Sequence, residues 1–352
     1  MIILIIIISL SLLIIAHELG HFFAAKLFGV KVEEFGFGFP PRLAVKKHGE
    51  TEYSINALPF GGFVRLHGED GTETEGEHID VKRSFANQPA WQRASIILAG
   101  VVANVLVGWL LISAIFMVGA PQHLGIASVV ESSPAAEAGL RPGDIVTKVV
   151  YEDAILSDPI TADALIGFVQ QRLGETFVLT VQRGDTMQTM SVTGREYPPE
   201  GEGSLGVSLV DMGIPRTSVF QSFVKAAETT VMTLTLIVAG FYNLFSRIFV
   251  DSTVLETITG PVGIFVLARE TGSIGLVYLV QLVALISLNL AVLNVVPFPA
   301  LDGGRFVMVL IEKIKGSPIS RKIQVAINAV GFALLLILMI VVTIQDIGRL
   351  AM

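Results

Sequence analysis

The sequence predicts a mainly α-helical membrane protein: four transmembrane helices, a cytoplasmic-side β-hairpin segment and one inserted α+β domain. Three observations predict it. The chain is 52% hydrophobic and only 16% charged, with a mean hydropathy of +0.69, too apolar for a soluble globular protein. Uncharged runs at 1–16, 94–120, 273–301 and 323–345 supply, with their flanks, the ~20 apolar residues that cross a bilayer. Between the second and third, residues 123–198 change to short β-rich runs and turns, the pattern of a water-exposed module.

The first helix begins MIILIIIISLSLLII and continues through AHELGH to about Phe28. It has no basic segment ahead of it and is read as a retained spanning helix rather than a cleaved leader. Residues 29–93 are polar, with glycine-rich alternating stretches; Val45 and Tyr53 flank a Lys47-His48-Gly49-Glu50 turn, which predicts a β-hairpin over 35–66. The charged stretch EDGTETEGEHIDVKR is expected to be loop. After the second helix come GIASVVE, DIVTKVV, FVLTVQR and MQTMSVT, separated by turns, then a Pro198–Gly203 linker.

The segment TTVMTLTLIVAGFYNLFS at 229–246 has 18 residues and four threonines, on the border between spanning, re-entrant and interfacial. The expected division is therefore 1–121 for two helices and the hairpin, 122–198 for the inserted domain, 199–272 for a linker and an interfacial or re-entrant helix, and 273–352 for the last two spanning helices.

A net charge of −7 and no sustained basic block exclude nucleic acid as a partner; the lipid bilayer is the partner that composition does imply. The absence of cysteine excludes disulfides and thiolate chemistry. Any metal must be held by His, Asp or Glu.

His17 and His21 offer that chemistry. Four apart on a helix, they present two imidazoles to one side, with Glu18 beside them, in the HExxH pattern of zinc hydrolases. A catalytic zinc takes three protein ligands and acidifies a water, whose proton Glu18 can accept during amide hydrolysis. Ionisable groups in an apolar helix are costly and usually functional.

No third histidine follows at a soluble-protease spacing. The third uncharged run ends in SLNLAVLNVVPFPALDGGR, where Asn289, Asn294, Pro297 and Pro299 interrupt the helix and Asp302 is the first ionisable residue after Glu270. Prolines at bilayer depth free backbone groups that protein or trapped water must satisfy.

With HELGHF, INALPFGGFV, Gly100-Val-Val-Ala-Asn104, SPAAEAGLRPGD, GPVGI and NVVPFPALDGG together, the sequence resembles the site-2 protease family of intramembrane zinc metalloproteases, the RseP type in particular. The resemblance implies Zn2+ as cofactor, with His17, His21 and Asp302 as ligands, Glu18 as general base, and Asn294 and Asn289 as polar groups that hold the substrate backbone. It departs at Arg305, where histidine often follows LDGG, and at Val101, where proline is common. Ser133 to Asp144 resembles the turn, helix and turn of bacterial PDZ domains, and the insert has room for a single one; Leu124-Gly125-Ile126 is the expected groove strand for a peptide or C-terminus.

One ion shared by His21 and Asp302 requires both helices to finish at the same depth, hence to run in the same direction. The 229–246 segment then cannot cross, and is expected at the interface or dipping into the outer leaflet. Arg305, Lys313, Lys315, Arg321 and Lys322 before the last helix mark the cytoplasmic side, which puts the PDZ-like insert on the outer face of a bacterial inner membrane.

The resemblance implies single-pass membrane proteins, trimmed first by another protease, as substrates, with release of a cytoplasmic fragment such as an anti-sigma factor's, or clearance of signal-peptide remnants. A competing reading is a zinc-binding membrane scaffold or chaperone acting through its PDZ domain; a transporter fits less well, because the halves show no repeat.

Overall fold

The computed structural model describes residues 2–69, 81–157, 159–184, 186–199, 201–247 and 259–351. Most of the charged loop after the hairpin, residues 70–80, lies outside these, as do residues 248–258 of the 199–272 segment. In chain order the elements are α1 (Ile2–Leu27), β1 (Val32–His48), β2 (Thr51–Leu66), α2 (Ala90–Val118), β3 (Ala120–Val129), α3 (Pro134–Glu137), β4 (Ile145–Tyr151), β5 (Ala154–Ser157), α4 (Ala162–Gln170), β6 (Thr176–Arg183), β7 (Thr186–Thr193), β8 (Val207–Ile214), α5 (Val219–Arg247), α6 (Pro261–Ile274), α7 (Leu276–Val295), α8 (Asp302–Lys315) and α9 (Arg321–Ala351). They form two units, residues 1–114 with 220–352, and residues 115–219.

In the first unit, five described helices are long and apolar enough to cross a membrane: α1, α2, α5, α7 and α9. Four of them fall on the uncharged runs. The fifth, α5, contains 229–246 but starts ten residues earlier, at Val219. It is continuous, and it runs back along α2: Trp109 Nε1 donates to the Phe223 carbonyl at 3.0 Å, and further along, Tyr242 shares an apolar groove with Val101, Val295 and Pro297. Its far end therefore reaches the level of Val101.

α1 and α2 cross closely at small residues; a Cβ on Gly20 would stand 2.3 Å from the Ala99 carbonyl oxygen. α7 packs against both α1 and α2, and its Ser287 Oγ donates to the Asn104 carbonyl at 2.8 Å. At one end, Asp346 of α9 accepts from the Gly260 and Gly263 amides at 3.2 and 2.8 Å, satisfying orphan donors at the start of α6. At the other, buried Glu312 of α8 accepts from Arg93 at 2.7 Å and from the Ile319 amide at 3.0 Å.

The hairpin is more elaborate than its sequence. Arg42 to His48 pair antiparallel with Asn56 to Thr51 across the expected turn. The first half of β1 pairs twice: Phe35 faces Val64 on one side and Tyr53 on the other. In the second pairing both numbers rise together, from Glu34 with Glu52 to Phe37 with Ile55. The two bent strands thus make a sheet of four runs, with 62–66 at one edge and 42–48 at the other. The turn is tied to the end of α1: Glu50 accepts from Arg83 at 2.6 and 2.7 Å and from Lys26 at 2.5 Å. Arg83, then Lys26, hold the Glu50 carboxyl down at about 2.

The second unit is a sheet of order β7-β6-β4-β3-β8, with β5 paired to β4. Leu124, Val146, Phe177, Leu179 and Leu165 of α4 fill its core. The sheet continues past residue 198, because β8 pairs with β3 from Val129 with Val207 to Ala120 with Ile214. Leu124-Gly125-Ile126, the expected groove strand, is corrected by this topology: β3 has β4 on one side and β8 on the other, so it has no free edge for an added strand. The edge strands are β7 and β8; β8 is the one next to β3 and lies beside α4, whose Ala162 amide donates to Asp211 at 2.7 Å.

The SPAAEAGLRPGD stretch is held by its own polar ends. Ser133 caps α3 by accepting from the Ala136 amide, and buried Asp144 takes two bonds of 2.7 Å from Arg183 and one of 2.9 Å from the Arg141 amide. Arg183 holds the Asp144 carboxyl below the usual carboxylate range. Its stabilisation is present above the ordinary carboxylate value and is lost as pH falls through the lowered one.

Candidate metal centre

α1 carries His17 and His21 one turn apart, both rings turned toward α2, with centroids 4.7 Å apart. Their Nε2 atoms lie 3.1 Å from each other. Asp302 reaches them from the far end of the chain: its Oδ2 is 2.9 Å from His17 Nε2 and 3.3 Å from His21 Nε2. Asp302 is not at the end of a spanning helix, as the sequence implies; α7 stops at Val295, the Pro297–Pro299 break intervenes, and Asp302 opens α8. The glycine after it lets α8 start against the break, since a Cβ on Gly303 would stand 2.2 Å from the Val296 carbonyl oxygen.

α2 orients both rings. His21 Nδ1 is 2.8 Å from the Ile96 carbonyl, which can only accept, so Nδ1 carries the proton and Nε2 keeps its lone pair. His17 Nδ1 is 3.2 Å from the Asn104 amide. Midway, Gly100 leaves the room: a Cβ there would stand 2.5 Å from His21 Nε2 and 2.7 Å from His17 Cε1. Residues 96, 100 and 104 thus form one face of α2, antiparallel to the His17–His21 face of α1.

Donor type and spacing fit zinc. Two imidazole nitrogens and one carboxylate oxygen, all within 4.8 Å of one another, match in type and number the three protein ligands that a catalytic zinc site takes. Donors about 2.0–2.1 Å from a tetrahedral ion stand about 3.3 Å apart, and the three separations here are 2.9, 3.1 and 3.3 Å. The side chains retain 11–14% exposure, opening on a cavity of about 520 Å³.

Glu18 lines that cavity opposite the hairpin, so near the 62–66 edge that a Cβ on Gly62 would stand 3.2 Å from Glu18 Cγ. Asn294 also lines it. Asn289 does not, and its side-chain amide donates to the Leu285 carbonyl of its own helix at 2.9 Å. Arg305 and Glu69 are both in the cavity wall and bond to each other at 2.7 Å. The Ile96 carbonyl leaves no mark in the sequence; Gly100 and Asn104 were visible only as part of the Gly100-Val-Val-Ala-Asn104 segment, without the room and the bond they supply here.

Residues 5–338 match peptidase family M50. The zinc metalloprotease RasP of Shouchella clausii is 29% identical, over 97% of this chain and 97% of its own length. The regulator of sigma-W protease RasP of Bacillus subtilis is 27% identical over 98% and 97%, and a Synechocystis protein classed by name among the zinc metalloproteases is 35% identical over 96% and 92%. The HELGH pair, the distant aspartate that meets it and a match over nearly the whole length lead to one conclusion: the chain belongs to peptidase family M50, the site-2 protease family.

Proposed function

We propose that this chain is a zinc endopeptidase that cuts single-pass membrane proteins within or near their transmembrane helix, after another protease has trimmed them outside. The observation that carries the proposal is the meeting of His17, His21 and Asp302 across 285 residues of sequence. These three would hold a zinc ion, which when bound would supply a Lewis acid able to polarise a carbonyl and acidify water. Glu18 takes the proton of the attacking water and returns it to the leaving amine.

A spanning helix hides its carbonyls in its own hydrogen bonds, so the substrate must unwind before it can be cut. The 62–66 edge of the hairpin sheet, next to Glu18, offers backbone groups to such an unwound segment. Asn294 holds the substrate backbone from the other wall. Asn289, already bonded to Leu285, is the weaker candidate for that role.

In this reading α1, α2, α7 and α9 cross the membrane, and α5 enters beside α2 without crossing. α1 and α7 run inward together, because both lead to one metal centre. The 115–219 unit is then a single PDZ domain on the outer face of a bacterial inner membrane, with β8 rather than β3 receiving a peptide or C-terminus. The chain lacks cysteine, so Glu202→Cys and Glu270→Cys each report one position to a membrane-impermeant thiol reagent. Labelling from the same, outer side is expected; opposite sides would refute the topology.

The Bacillus subtilis relative's name ties it to sigma-W, in keeping with release of an anti-sigma factor's cytoplasmic fragment here; clearance of signal-peptide remnants is the other substrate class. Co-reconstitution with a single-pass test protein, its outer domain intact or trimmed, separates the possibilities. A cytoplasmic fragment is expected from the trimmed form alone. Equal cutting of both forms would remove the size filter, and no cutting of either would remove the substrate class.

A further inference from the structure

We propose that Asn104 is a positioning residue of the metal centre: its side-chain oxygen accepts a hydrogen bond from His17 Nδ1–H, leaving His17 Nε2 free for the zinc ion. The inference rests on the zinc reading above and adds a residue to it. Asn104 is 1% exposed in the middle of a spanning helix, where an amide is costly unless it is bonded. Its side-chain nitrogen lies 3.2 Å from His17 Nδ1, and its side-chain oxygen has no partner among the described residues. The amide is thus directed at one group, the ring of His17.

The proton arithmetic then fixes which amide atom must face the ring. A neutral imidazole has one N–H and one lone pair. When Nε2 gives its lone pair to zinc, Nδ1 carries the proton and needs an acceptor. The two ends of an amide occupy nearly the same space, so a half-turn about Cβ–Cγ puts Oδ1 where the nitrogen stands, within bonding distance of Nδ1. His21 already has the corresponding arrangement through the Ile96 carbonyl. Asn104 does for His17 what that carbonyl does for His21, two helical turns along the same face of α2, and such partners fix ring orientation and ligand basicity.

Two substitutions test the role on the full-length protein in detergent, with zinc affinity measured by competition against a chromogenic chelator. Asn104→Leu keeps the size and removes the acceptor; zinc affinity is expected to fall about 10–100-fold. Asn104→Asp restores an acceptor, and affinity is expected to stay near that of the wild type. If the amide instead acts by donating from nitrogen, Asn104→Asp falls at least as far as Asn104→Leu, and the proposal is overturned. Equal affinity in wild type and Asn104→Leu overturns it too, whereas a wild type that binds no zinc overturns the metal reading itself. Should Asn104→Leu fail to fold, ¹⁵N spectra of histidine-labelled, zinc-loaded wild type decide: a proton on His17 Nδ1 is expected, and ligation through Nδ1 with the proton on Nε2 contradicts the role.

Discussion

Glu18→Gln is expected to lower the rate of substrate cleavage by about 10²–10⁴-fold while leaving zinc in place. Glutamine keeps the size and the position beside Gly62 but cannot accept and return a proton. The proposed metal ligands are other residues, so zinc content should match that of the wild type, and a trimmed substrate should accumulate as a stable complex. This outcome separates the protease from the scaffold reading, since a scaffold working through its PDZ domain keeps its function without Glu18. Wild-type cleavage by Glu18→Gln would assign the base elsewhere in the cavity.

Gly100→Ala is expected to have an effect of similar size for a different reason. The added methyl would fall 2.5 Å from His21 Nε2 and 2.7 Å from His17 Cε1, inside van der Waals contact with both rings. The rings are pinned on their other nitrogens by the Ile96 carbonyl and Asn104, so relief comes from pushing α1 and α2 apart or turning the imidazoles off the metal. A shift of about 1 Å in a catalytic group can cost ~10² in rate, and here two ligands shift together. Zinc should be lost at chelator concentrations that leave the wild type loaded, with cleavage lost in parallel. Val102→Ala, on the exposed face of the same helix, should change neither. A fully loaded and active Gly100→Ala would mean that α1 and α2 stand farther apart than described.

What the sequence displays well is chemistry carried by side chains of unusual type for their surroundings. His17, Glu18 and His21 sit in an apolar helix, and Asp302 ends a long stretch without charge; burial costs make such residues conspicuous. Contributions made by backbone or by empty space leave no such mark. The Ile96 carbonyl could belong to any residue, and Gly100 acts by having no side chain. The helix break at 296–301 was legible from its prolines, but whether Asp302 ends one helix or begins the next depends on where the chain turns afterwards.

Edges of sheets are equally silent. Leu124-Gly125-Ile126 and Leu205-Gly206-Val207 are nearly the same tripeptide; pairing partners alone make β3 interior and leave β8 open. In the hairpin, one antiparallel turn was readable, while the second pairing of Glu34 to Phe37 with Glu52 to Ile55 joins segments that no turn connects directly. The start of α5 was hidden because Lys225 and Glu228 break the apolar run that marks its remainder.

The most direct test of the account is the zinc K-edge X-ray absorption spectrum of the purified wild-type protein. A shell of nitrogen and oxygen at about 2.0–2.1 Å, with the outer-shell scattering of two imidazoles, is the predicted result. A spectrum with fewer than two imidazoles, or one unchanged when His17 or His21 is replaced by alanine, would contradict the joining of α1 and Asp302 through one metal ion.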